Sequence, residues 1–170
     1  MGGYFTIEER KTKEELFPME IERKFWIDTL PELPEERRSD VYQGYLCTEP
    51  VELRIRKRVE HGGSQKVYQL CVKSIGKLSR HEVETELSRA QFEELASMLD
   101  KPLIHKEYHA YRLQDGHLLE CSIVDGGVFS YAEVEFASEA DAMAWTPLDC
   151  LGKETTYEQG MSMRDYWKNR

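Results

Sequence analysis

From Met19 onward, polar and apolar residues alternate with a period of two in one short segment after another. In Met19–Ile27, Glu20, Glu22 and Lys24 fall on one face, and Ile21, Phe25 and Ile27 fall on the other. That spacing is the signature of a β-strand, whose side chains at i, i+2 and i+4 point the same way. Further strands are predicted over 40–47, 51–59, 66–73, 80–87, 104–113, 117–124 and 130–136. The turn His61-Gly62-Gly63-Ser64 and the links Gln114-Asp115-Gly116 and Asp125-Gly126-Gly127 suit hairpins. Helical spacing replaces the alternation at three places. Ser88 with Gln91 forms a capping box before Phe92, Leu95, Met98 and Leu99; Ser138 and Asp141 cap a short segment through Trp145; a last helix covers 162–167. Many short strands joined by hairpins, with few helices, predict a mainly β (α+β) fold: an antiparallel barrel or rolled sheet flanked by helices.

The polar faces of these strands are not ordinary wet faces. Arg54, Arg56 and Arg58 share a face in the third strand, and Lys73 opposes Leu70 and Val72 in the fourth. Arg80, Glu82, Glu84 and Glu86 align in the fifth, Lys106, Tyr108 and Arg112 in the sixth, Glu120 and Ser122 in the seventh, and Glu133 and Glu135 in the eighth. A single polar face is usually solvated sheet surface. Three arginines in a row are different: at about 6.7 Å spacing and an effective dielectric near 20, neighbouring guanidinium groups repel by about 2.5 kcal/mol before screening. A sheet curled with this face inward would form a water-filled tunnel lined with charge and supported by an outer apolar layer. A dry interior is excluded, because burying so many unpaired ions costs several kcal/mol each.

Such a lining suits one chemistry. Arg forks and Lys ammonium groups bind phosphate oxygens through charge-assisted hydrogen bonds, and a row of them matches a polyphosphate. The carboxylates of Glu20, Glu22, Glu133 and Glu135 offer oxygen ligands for Mg²⁺ or Mn²⁺. Metal and cations around a triphosphate are the equipment of phosphoryl transfer. No GxxxxGK[ST] loop is present, so phosphate binding falls to side chains. The histidines do not form a zinc set: His61 sits in a turn, His81 faces away from Arg80, and His105 and His109 lie opposite Lys106.

The chain of 170 residues, 40% hydrophobic, is long enough for one domain with a core, which predicts an extension over 1–18 and a tunnel domain over 19–170. In the extension, Thr6-Ile7-Glu8-Glu9 fits a capping box for a short helix ended by Pro18. A formal charge of −9 argues against a general nucleic-acid surface, and the lack of a long apolar run argues against a membrane span. Cys47, Cys71, Cys121 and Cys150 lack paired short spacing, so they read as reduced thiols of a cytoplasmic protein. A homodimer is a candidate assembly.

The ordered set Glu20-Ile-Glu22-Arg-Lys24, Arg54-Ile-Arg56, Lys73, Arg80 to Glu86 and Glu133-Val-Glu135, followed by Leu151-Gly152-Lys153-Glu154, resembles the CYTH superfamily, the triphosphate tunnel metalloenzymes. The form Glu-Ile-Glu-Arg-Lys-Phe looks most like bacterial tripolyphosphatase-type members. The resemblance implies an eight-stranded antiparallel tunnel, Mg²⁺ or Mn²⁺ as cofactor, and hydrolysis of inorganic triphosphate or a small organic triphosphate. It also admits a class IV-type adenylate cyclase, with Tyr108 or Tyr131 stacking a base, and a polyphosphate-binding module with little turnover. Arg54, Arg56, Arg58, Lys73, Arg80, Lys106 and Arg112 are the expected substrate-binding residues. Glu20, Glu22, Glu133 and Glu135 are the expected metal ligands, and Lys24, Glu82, Glu84 and Glu120 the expected catalytic groups. Two positions depart from the family pattern: the sixth strand carries Tyr108 where a cation is common, and the seventh carries Ser122 where a carboxylate is common.

Overall fold

The computed structural model describes residues 19–170; the extension and its expected helix lie outside the described residues. Eight strands form a closed barrel: β1 (Met19–Trp26), β2 (Glu35–Cys47), β3 (Glu52–Glu60), β4 (Lys66–Lys73), β5 (Ser79–Glu86), β6 (Ile104–Arg112), β7 (Leu118–Val124) and β8 (Phe129–Glu135). Their order around the barrel is β1-β5-β4-β3-β2-β6-β7-β8, with antiparallel pairing throughout. Closure depends on β1, whose first residues pair with β5 (Glu20↔Arg80) and whose last pair with β8 (Glu22↔Glu135, Lys24↔Glu133).

The apolar core lies outside the barrel wall. Ile21, Leu119, Cys121, Ala132, Val134 and Phe136 point outward and are buried under α2 (Glu139–Ala144) and the following residues Trp145, Leu148 and Leu151. The helix α1 (Arg89–Ser97) carries the capping box read from the sequence and buries Phe92 against Tyr68, ring centroids 5.2 Å apart. Beyond its end, Leu99 lies so close to Gly44 of β2 that a Cβ there would sit 2.4 Å from Leu99 Cδ1. A third cluster closes one end of the barrel. Met163 and Trp167 of α3 (Met163–Asn169) pack on Tyr45, Ile104, Val124 and Tyr131, which stand at the ends of β2, β6, β7 and β8. Among the described residues no helix packs over the opposite end, the mouth.

Most boundaries differ from the sequence reading by a residue or two, and two differences matter for the site. The strand β2 begins at Glu35 instead of Asp40, because Glu35, Arg37 and Arg38 pair with Tyr111, Ala110 and His109 of β6. Charges on both faces hide that extension from any period-two pattern. The strand β6 ends at Arg112, and there the alternation stops describing the tunnel wall.

Candidate active site

The inward faces enclose a cavity of about 340 Å³, lined by charged residues from β1, β3, β4, β5, β6, β7 and β8. Fourteen of the fifteen expected site residues line it: Glu20, Glu22, Lys24, Arg54, Arg56, Arg58, Lys73, Arg80, Glu82, Glu84, Lys106, Glu120, Glu133 and Glu135. The exception is Arg112. Its side chain is 54% exposed and pairs bidentately with Glu36, with Nε and Nη2 each 2.9 Å from a carboxylate oxygen. Although it shares period-two spacing with Lys106, it stands where the strand leaves the barrel, so the lining gains no cation from it.

One side of the wall is internally neutralised. Lys73 Nζ lies 2.5 Å from Glu20 and 3.1 Å from Glu82, and Arg80 Nη2 lies 2.9 Å from Glu20 and 2.5 Å from Glu22. Lys24 Nζ bridges Glu22 and Glu133 at 2.9 Å each. Burial alone would raise the Glu22 pKa, yet Lys24, Arg80 and Lys73 together hold this carboxyl well below the usual range. Burial would likewise lower Lys24, but Glu133 and Glu22 keep its ammonium far above its ordinary value.

The β3–β6 side is different. Arg54 and Arg56 meet carboxylates only at 4.0 Å (Glu82) and 3.7 Å (Glu84), and the buried Nε of each has no partner. Burial and the neighbouring Arg54 push Arg56 below its usual value. Burial, reinforced by Arg56, Arg54 and Arg58 and only partly offset by Glu133, pushes Lys106 down to about 7. Lys106 Nζ donates to the Tyr131 hydroxyl at 2.9 Å. Against its burial, Arg54 is held above its usual value by Tyr45, Cys71, Glu82 and Glu52, so the surplus of positive charge facing the cavity shows at Arg56 and Lys106.

Toward the mouth the surplus is negative. Glu22 stands directly across from Glu135, and Glu120 across from Glu133. Like charges in such cross-strand positions repel. Among the described residues Glu135 has no cationic partner, and burial together with Glu120, Glu20, Glu22 and Glu82 raises its pKa. Glu22 and Glu133 converge on a single ammonium, with Glu135 across from Glu22, and their carboxylates are the oxygen donors that suit a hard divalent cation; the potential ligand atoms that already lie within 4.8 Å of one another are those of Cys71, Glu82 and Glu84.

Several wall residues escaped sequence reasoning. Arg37, an exposed residue at the charged start of β2, donates to the Tyr108 hydroxyl at 2.8 Å, while that hydroxyl donates to Glu120. Arg58 and Arg37 both lie over the Tyr108 ring, at 4.4 and 5.2 Å from its centroid. The structure thus brings a cation from β2 to the place where β6 lacks one. Cys71 shares the inward face with Lys73, donates to Glu82 at 2.9 Å and accepts from Arg54 at 3.6 Å; burial pushes its thiol up to about 12. Its position was legible in the alternation of β4. Glu52, on the face of Arg54, lies 3.5 Å from Arg80. The histidines point away from the cavity as expected, His61 and His105 on Asp40 and the buried His109 on Glu35.

No family model matches the chain. The inorganic triphosphatase of Nitrosomonas europaea is 35% identical over 144 residues, covering 82% of this chain and 91% of that protein. A crystal structure of an inorganic triphosphatase superposes with a TM-score of 0.60 at 30% identity, over 86% of this chain and 93% of its own. A Pyrococcus horikoshii protein of solved structure shares the fold, with a TM-score of 0.51 at 22% identity over 72% of this chain and 81% of its own. The closed tunnel, the ordered charged stripes and a relative that spans most of both chains lead to one conclusion: the chain belongs to the CYTH family of triphosphate tunnel proteins.

Proposed function

We propose that this protein hydrolyses inorganic triphosphate to diphosphate and orthophosphate, with Mg²⁺ or Mn²⁺ as its cofactor. The observation that carries the reading is the row of Arg54, Arg56, Arg58 and Lys106, with Arg56 and Lys106 under-neutralised, facing carboxylates across one cavity. Arg54, Arg56, Arg58, Lys73 and Lys106 grip the phosphates, and Arg80 supports them. Glu20, Glu22, Glu133 and Glu135 would hold the metal, and Lys24, which lies 2.9 Å from Glu22 and Glu133, would stand beside it as a further cation for the anion. The bound ion supplies charge neutralisation at the phosphate oxygens. Glu82, Glu84 and Glu120 orient the cations and the attacking water, whose oxygen bonds to the terminal phosphorus as the bridging P–O bond breaks, the diphosphate leaves and the water's proton passes to solvent. The named activity of the relative supports the same reading. Cyclisation of ATP needs a base platform, and the guanidinium groups over Tyr108 and the ammonium of Lys106, 5.5 Å from the Tyr131 ring centroid, favour hydrolysis instead. The free thiols of Cys47, Cys71, Cys121 and Cys150 suit a reducing, cytoplasmic setting.

The test is phosphate release from inorganic triphosphate, thiamine triphosphate and ATP with each metal. Release is expected from inorganic triphosphate above all, and excess EDTA is expected to abolish it. Undiminished turnover in EDTA, or cyclic AMP as the main product from ATP, contradicts the proposal.

A further inference from the structure

The barrel is not the only source of cations for the cavity. At the end covered by α3, Arg164 projects into the lining beside Glu52. Its place is fixed from both sides. Ser162 and Asp165 form a capping box that sets the first turn of α3, and Met163 and Trp167 anchor the same helix on Tyr45 and Tyr131. Yet the guanidinium itself is poorly satisfied. Its nearest carboxylates, Glu52 and Asp165, stand at 3.9 and 3.8 Å, beyond hydrogen-bond length. Its Nε is buried with no partner. Only 20% of the side chain is exposed.

An arginine held this firmly by its backbone and left this free at its head is organised for an anion that the protein does not itself supply. Arg164 also borders a second cavity of about 120 Å³, which shares Lys24, Glu52 and Arg80 with the tunnel. It therefore stands where the tunnel would otherwise continue past the barrel end. We propose that Arg164 is a substrate-binding residue that ends the anion site, taking the terminal phosphate remote from the mouth and setting the length of polyphosphate the tunnel accepts. This rests on the triphosphate reading above and adds a residue from outside the barrel to it. Glu52 positions the guanidinium on one side, and Arg80, 3.5 Å from Glu52, links it to the β1 carboxylates.

Inorganic tripolyphosphate titrated calorimetrically into metal-free protein, with EDTA present, separates binding from turnover. Arg164→Ala is expected to weaken tripolyphosphate binding about tenfold, since one charge-assisted hydrogen bond contributes roughly 1.5–3 kcal/mol. Arg164→Lys should recover part of that loss. With Mg²⁺ the loss should fall on KM more than on kcat, because the contact is made equally in ground and transition states. The preference for triphosphate over a tetraphosphate should narrow. Lys168→Ala, on the same helix but turned to Glu49, should leave binding unchanged. Melting temperatures should match the parent protein, because Arg164 makes no hydrogen bond within the described residues. Unchanged tripolyphosphate affinity in Arg164→Ala overturns the inference. So does a melting-temperature drop that parallels the lost affinity and is cured by Lys, since that makes Arg164 a clamp for α3. If the parent protein neither binds nor hydrolyses tripolyphosphate, the functional reading itself fails.

Discussion

The two walls of the tunnel are built from the same residue types and do opposite things with them. On the β1–β5 side, Glu20, Glu22, Lys24, Lys73, Arg80 and Glu82 complete one another at 2.5–3.1 Å. On the β3–β6 side, Arg54, Arg56 and Lys106 reach no comparable carboxylate. A buried charge that is paired belongs to the fold, and removing its partner costs more than the pair contributes. A buried charge left without a partner is a standing cost to stability that a ligand relieves. The comparison therefore separates cations already paired within the fold, which serve a ligand only by sharing their carboxylates, from cations that face it without such partners, although both groups line one cavity.

The largest effect expected from this division is on stability. Arg80→Ala leaves Glu20 and Glu22 buried beside one fewer cation, and a loss of about 3–5 kcal/mol is expected, read from urea or thermal unfolding. A parent-like unfolding curve would erase the distinction between the walls. Next comes Lys106. With its free-state pKa near 7, it is mostly neutral at pH 8. An anion favours the ammonium, so binding raises this pKa and takes up a proton. The sign follows: affinity for tripolyphosphate falls as pH rises from 7 to 9, and calorimetry at pH 8 in buffers of different ionisation enthalpy shows proton uptake. Lys106→Met should remove the uptake and flatten the pH dependence. Uptake unchanged in that variant would assign the proton elsewhere. The smallest effect is expected at the mouth, where Tyr108 bridges Arg37 and Glu120. Tyr108→Phe deletes the bridge but leaves both charges, so a two- to threefold rise in KM, about 0.5 kcal/mol, should be accompanied by little change in kcat.

How much of this was legible follows from where each residue sits. Period-two alternation placed fourteen of the wall residues, because a strand must send i and i+2 to the same side. The same rule misplaced Arg112, since alternation does not say where a strand leaves the barrel; at its end Arg112 finds Glu36 and the Gly116 carbonyl instead. Arg37 was hidden in the run Glu35-Glu36-Arg37-Arg38, which has no apolar face to fix its phase and is a strand only because β6 pairs with it. Arg164 was invisible for another reason. Nothing local tells a capped surface helix from one that covers the end of a barrel, and only the packing of Trp167 on Tyr45 puts Arg164 into the cavity. The saturation of one wall and not the other is likewise a tertiary fact, set by register: Glu20 opposes Arg80 and Lys73 opposes Glu82, whereas Arg54 and Arg56 oppose Cys71 and Gln69.

The most direct measurement of the central claim compares Arg56→Ala with Arg23→Ala in tripolyphosphate titrations of metal-free protein. Arg56 belongs to the unsatisfied wall; Arg23 lies on the outer face of β1, bound to Glu154 and to the carbonyls of Ala142 and Trp145. The account predicts that Arg56→Ala weakens binding tenfold or more without lowering the melting temperature, and that Arg23→Ala lowers the melting temperature while the affinity of the folded protein stays within about twofold, or 0.4 kcal/mol. Equal losses of affinity in the two variants, or parent-like binding by Arg56→Ala, would contradict it.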